Sequence, residues 1–112
     1  MNNLRERIKS NETVKTVNTE KQIRHIRNNE GYIEGRSYLL DGTDAQELVD
    51  KYHGTGELEL SWNGSWTNKE FVIADKIIGI NINLETNKET PTNRFIIHYS
   101  KTGTHIVPTS RE

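Results

Sequence analysis

Up to about residue 54, apolar residues recur three or four positions apart; from Glu57 onward they recur every second position. Side chains three and four apart share a face of a helix, whereas successive strand residues alternate between faces. The chain therefore reads as helices first and a sheet afterwards.

The first stretch is weakly patterned. Residues 1–18 hold Leu4 and Ile8 one helical turn apart, then Val14 and Val17. This is a flexible or helical arm, and a mobile arm is the expectation; the domain proper is placed at 19–112. In "TEKQIRHIRNN", Thr19 followed by Gln22 fits a capping box. Ile23 and Ile26 share one face, and Lys21, Arg24, His25 and Asn28 another, so a short helix with a basic side is expected. The strongest helix signal is "GTDAQELVDKYHGTG". Thr43 serves as N-cap with Gln46 three residues on, and Asp44 sits near the positive helix end. Leu48, Val49 and Tyr52 make the buried stripe, and Gly54 ends it in the left-handed conformation.

In the second half, "ELELSW" alternates Leu58, Leu60 and Trp62 against Glu57, Glu59 and Ser61. Asn63-Gly64 between two tryptophans signals a hairpin. "EFVIADKIIGININ" is one long bent strand or two short ones, with Gly79 as a candidate bulge. "ETNKETPTN" reads as a polar loop, and "RFIIHYS" and "THIVPT" as the last two strands. The order predicts an α+β domain, with N-terminal helices packed on a four- to five-stranded antiparallel sheet.

Composition narrows this picture. Leu, Ile, Val and Phe number 26 of the 112 residues, enough for a small core only. There is no cysteine, which excludes disulfides and cysteine-based zinc sites. No apolar run has the length of a membrane span and no signal-peptide pattern is present, so a soluble protein is expected. The net charge of −1 conceals an asymmetry. Residues 1–27 carry seven Lys/Arg against three Glu, residues 30–90 carry five against twelve acids, and residues 94–112 carry three against one. If the fold joins the two ends, they form a positive surface.

Candidate chemistry concentrates in the terminal hairpin "HYSKTGTHIVP". A two-residue Thr102-Gly103 turn would pair Ser100 with His105 and His98 with Val107. It would then gather His98, Ser100 and His105 on one face and Phe95, Ile97, Tyr99 and Ile106 on the other. A three-residue loop would move His105 among the apolar residues. The first register sorts polar from apolar and is preferred. Two imidazoles beside a serine and a lysine suit cleavage of RNA by the RNA's own 2′-hydroxyl. One imidazole would act as base and the other as acid, with cations or hydroxyls on the phosphoryl oxygens. A metal pair lacks a third ligand of suitable spacing, and Ser100 sits on a hairpin rather than a nucleophile elbow. Trp62 and Trp66 serve either core packing or base stacking.

Four blocks, "KQIRHIRNNEGY", "DAQELVDKYHGTG", "KEFVIADKIIG" and "PTNRFIIHYSKTGTHIVP", occur in this order. Over about residues 19–109 they resemble the bacterial polymorphic toxin type 50 domain, a ribonuclease module. The resemblance implies the barnase/EndoU/colicin/RelE-like fold and RNA cleavage without a metal or other cofactor. Similar modules end phage minor head proteins. By position it implies roles for His25, Ser37, Glu70, His98, Ser100, Lys101 and His105. Gly54, Gly56, Gly103 and Pro108 match as backbone-shaping residues. Arg27-Asn28 departs from the Pro-Gly that the family often carries there.

The expected protein is thus a nucleic-acid-acting domain similar to metal-independent endoribonuclease toxins. It would be phage- or prophage-borne and free-standing, residing in the bacterial cytoplasm or a virion. Its catalytic set would be His98 and His105, with Glu70 or His25 as alternative base. Lys21, Arg24, Ser37, Ser100 and Lys101 would hold RNA or DNA. An immunity protein or phage head components are the expected protein partners. The competing expectation is a non-catalytic virion protein that binds nucleic acid.

Overall fold

The computed structural model describes residues 2–110. Three short helices, α1 (Asn2–Lys9), α2 (Thr19–Gln22) and α3 (Ala45–Tyr52), accompany seven strands. Strand β1 (Tyr38–Leu39) lies between α2 and α3 in the chain. The others follow in order: β2 (Glu57–Leu60), β3 (Trp66–Ile73), β4 (Gly79–Ile82), β5 (Glu89–Thr92), β6 (Arg94–His98) and β7 (His105–Pro108). The result is α+β, but the single sheet expected from the sequence is two antiparallel sheets among the described residues. One has the order β2-β3-β6-β7 and the other β1-β4-β5. The segment read as one long strand or two is two, divided between the sheets.

Alternation sets the core. In β6, Phe95 and Ile97 point inward while Arg94, Ile96 and His98 point outward. In β7, Ile106 and Pro108 are buried while His105 and Val107 face the other way. Val72, Phe95, Ile97, Tyr99 and Ile106 join Ile8 of α1, Leu48 and Val49 of α3, Leu39 and Ile78 in one buried cluster. Each large apolar side chain buried this way contributes about 1.5–3 kcal/mol. Tyr52 is half-buried against this cluster, its ring edge-on to Phe95.

The helices begin one residue away from where the capping-box patterns place them. Asp44, not Thr43, caps α3, its side chain accepting from the backbone N–H groups of Gln46 and Glu47. Asn18, not Thr19, caps α2, accepting from Lys21 N. Both glutamines assigned to capping boxes are used elsewhere. Gln46 accepts from Val17 N and donates to Lys15 O, and Gln22 turns into the domain. Helix α2 is also shorter than its pattern suggested and tightens into a 3₁₀ turn at Ile23–His25. Gly54 does hold a positive φ of 79° after α3.

Three expectations about the strands need correction. The polar "ETPT" is strand β5, paired with β4 along its length; a solvent-facing edge strand needs no apolar alternation, and Pro91 suits an edge. Trp62 is 97 % exposed at the β2–β3 hairpin and Leu60 is 55 % exposed, so the alternation of "ELELSW" does not report a buried face. The terminal hairpin pairs His98 with His105 and Ile97 with Ile106, so its connection spans residues 99–104. A side-chain-closed turn explains this. Ser100 Oγ donates to Gly103 O and accepts from Thr102 N, while the N–H and C=O of Thr104 bond to Thr16 and Asn18 instead of to β6. The shift from the expected register is two residues. Because strand faces alternate with a period of two, the side chains of β6 and β7 keep their predicted faces, while Ser100 leaves the strand for the turn.

Arg27 and Asn28, the departure from Pro-Gly, tie the α2 region to the second sheet. Arg27 donates to the Tyr38 hydroxyl, which donates to Glu89; Asn28 donates to Asp41. No helix among the described residues is long and apolar enough to cross a membrane.

Candidate functional site

Register alone places the first three functional groups. Lys69 of β3 is opposite His98 of β6, which is opposite His105 of β7. The three therefore form a row across the outward face of the four-stranded sheet. The 3₁₀ turn adds a fourth group, His25. The imidazoles of His98 and His105 stack with centroids 4.6 Å apart and planes 10° apart. His25 lies over the other side of His105 at 5.9 Å and 14°. The order along the pile is His98, His105, His25.

The pile forms one wall of a cleft of about 470 Å³. Arg36, Ser37, Asn81 and Thr109 supply its other polar lining, and Ile82, Leu84, Ile96, Val107 and Pro108 its apolar lining. His25 is buried, and its Nδ1 lies 2.9 Å from Ser37 O. A carbonyl only accepts, so Nδ1 carries the proton and Nε2 is left as a base. The Ser37 hydroxyl accepts from Ile82 N of β4 at 2.9 Å, which ties the segment before β1 to β4.

All three rings are held away from the imidazolium form. Burial is the main cause for each. It carries His98 down to about 4, with Lys69 and His25 adding to the effect against an opposing Glu59. His105 falls to about 3, through burial and then through His98, His25, Lys21 and Arg24. His25 is lowered by burial and by Arg36 and Arg24, against the raising effect of its bond to Ser37. The cleft is therefore a stack of neutral imidazoles among four cations, Lys21, Arg24, Arg36 and Lys69. Against them stands the Glu59 carboxylate beside His98, so the charge around the stack is net positive and favours an anion.

A stability consequence follows, with a definite sign. An unfolded histidine titrates near 6.5, while the folded rings do so near 4 and 3. Between these limits the unfolded chain binds more protons, so stability falls as pH drops below about 6.5. The urea midpoint should decrease from pH 7 to pH 5, above the range where most carboxylates titrate, and His105→Gln should flatten that decrease. A pH-independent midpoint over this interval would show that the rings are not desolvated.

The structure sorts the remaining sequence candidates. Arg24 and Lys21 lie close enough to act electrostatically on the stack. Lys21 Nζ also donates to Ser100 Oγ and Thr102 Oγ1, at 3.3 and 3.2 Å. Ser100 is thus in the turn beyond β6, beside the stack rather than in it. Lys101 is exposed in that turn and lines a different depression, with Trp66, Asn68 and Tyr99. Glu70 is separated from the histidines altogether. It pairs with Ile97 on the inner face of the sheet and is fully buried. Its Oε1 accepts from Gly54 N at 3.0 Å and from the Tyr99 hydroxyl at 2.6 Å, and Oε2 accepts from Gly56 N at 2.7 Å. Sequence reasoning missed Arg36, Lys69 and Asn81. Lys69 was within reach, since the alternation of "KEFVI" puts it on the face opposite Glu70.

The family model described as bacterial toxin 50 matches residues 17–108. A search of curated proteins finds no match.

Proposed function

This chain belongs to the bacterial toxin 50 family, and from that premise we propose that it is an endoribonuclease whose reacting groups are the stacked histidines. The observation that carries the reading is the His98–His105–His25 pile, open to a cleft and surrounded by Lys21, Arg24, Arg36 and Lys69. The α+β make-up with a four-stranded antiparallel sheet also supports the ribonuclease-like fold that the resemblance implies.

The chemistry is transesterification. A neutral imidazole removes the 2′-hydroxyl proton as O2′ attacks the adjacent phosphorus. The P–O5′ bond breaks, and a second imidazole, protonated, delivers its proton to O5′. The products are a 2′,3′-cyclic phosphate and a free 5′-hydroxyl. The surrounding cations stabilise the charge that grows on the phosphoryl oxygens. His98 and His105 divide the acid and base roles. His25, with its Nε2 unprotonated, is the alternative base.

In the free protein both rings are neutral at pH 7, so one must gain a proton when substrate binds. The phosphate supplies the reason: a negative charge beside an imidazole raises its pKa. The experiment is an NMR titration of all histidines with and without a dinucleotide lacking the 2′-hydroxyl, together with an RNA cleavage assay. His98 or His105 should titrate higher in the complex, and RNA should yield cyclic-phosphate ends. The reading fails if none of the three rings responds. Salt-dependent binding without cleavage would instead favour a nucleic-acid-binding protein that does not cut, the role expected of a virion component.

A further inference from the structure

His25 and His105 belong to segments 80 residues apart in the chain, roughly, and their rings meet only because α2 and its 3₁₀ turn dock on the outer edge of β7. Edge strands carry unpaired N–H and C=O groups that need partners. Along β7 the groups of Thr104 and Ile106 are answered individually. Thr104 N donates to Thr16 O at 2.9 Å, and Asn18 N donates to Thr104 O at 2.7 Å. This makes a one-residue parallel bridge around Val17. Pro108, at the far end, has no N–H to satisfy. Between them, Ile106 bonds to a side chain. Its N–H donates to Gln22 Oε1 at 2.6 Å, and its C=O accepts from Gln22 Nε2 at 2.9 Å.

A carboxamide presents one acceptor and one donor, as a neighbouring strand residue would. Gln22 is 3 % exposed, so neither bond has water as a substitute. The residue clamped, Ile106, directly follows His105; the clamping residue lies one turn before His25. We propose that Gln22 is a positioning residue: it stands in for the missing neighbour of β7 and thereby sets His25 over His105. The role rests on the ribonuclease reading for its effect on rate, but not for its effect on geometry.

Gln22→Leu keeps the bulk and removes both bonds. In that variant the His25 resonances should titrate closer to the ordinary histidine value than in the parent, with a smaller shift for those of His98, at the far end of the pile. For RNA cleavage, kcat should drop by about 100-fold, the scale of an ångström-sized misplacement, with KM little changed. A purely structural role would lower thermal stability and leave His25 titration and kcat of the folded protein where they were; that result overturns the proposal.

Should Gln22→Leu not fold, Gln22→Glu decides. The introduced carboxyl can accept from Ile106 N at any pH, but can donate to Ile106 O only when protonated. Its cleavage rate relative to the parent, and its His25 chemical shifts, should recover as the carboxyl gains its proton. No recovery overturns the proposal. A parent protein that cleaves no RNA would defeat the ribonuclease reading, yet the His25 titration would still decide the role of Gln22.

Discussion

His105→Ala should reduce kcat/KM for RNA cleavage by roughly 10²–10⁴-fold, the range of a lost general acid or base. The expectation is largest for this residue because His105 is the middle ring of the pile, in contact with both His98 and His25. On the proposed mechanism its loss takes away one proton-transfer group and leaves the outer two rings without a common neighbour. His98→Ala should fall in the same range. The double variant should be hardly worse than either single one, since residues that act as a unit do not lose activity additively. Neither change touches the buried cluster, because both side chains face the cleft. Lys101→Ala is the contrast: an exposed turn residue outside the cleft should leave cleavage nearly unaltered. Initial rates on a short RNA substrate provide the test, and equal rates for the parent and the His105 and His98 variants would sink the mechanism.

Glu70→Gln should destabilise the fold by about 2–4 kcal/mol, with more for Glu70→Ala, yet leave the chemistry of the folded fraction intact. The carboxylate satisfies three donors with two oxygens: the buried Gly54 N and Tyr99 hydroxyl, and the half-buried Gly56 N. An amide offers one oxygen, so its NH₂ must face at least one of those donors. Each buried group left without a partner costs about 1–3 kcal/mol. The loop cannot move away, because Arg5 of α1 holds it from the other side by donating to the carbonyls of Gly54 and Gly56. Urea unfolding measures the loss; kcat under native conditions measures the chemistry. A Glu70→Gln protein as stable as the parent but unable to cleave would make Glu70 the base, and the present assignment wrong.

Several elements were legible because local pattern determined them. The stripe of α3, the Asn63-Gly64 turn and the alternation of β6 and β7 all follow from side-chain periodicity. The faces of His98 and His105 were correct even though their register was not, since a slip of two preserves parity. What escaped depends on long-range pairing. The burial of Glu70 is invisible until Gly54, Gly56 and Tyr99 surround it, and a glutamate in a strand otherwise reads as surface. Gln22 fits a capping box locally, but two bonds to Ile106 outweigh one to a helix end. Strand β5 has no apolar pattern, and only its partner β4 defines it. Trp62 alternates with its neighbours as a buried residue would, yet the hairpin carries it beyond the edge of the core.

The clamp between Gln22 and Ile106 joins residues 84 positions apart, as does the bond from Asn18 to Thr102. Contacts of such separation form only after a long loop has closed, a step that carries a large entropic cost and slows folding. During synthesis the segment bearing His25 leaves the ribosome well before the one bearing His98 and His105. The three rings cannot be stacked until the second arrives and pairs. The imidazole pile is thus a property of the completed fold, absent from any stretch of chain that carries only one of its two contributing segments.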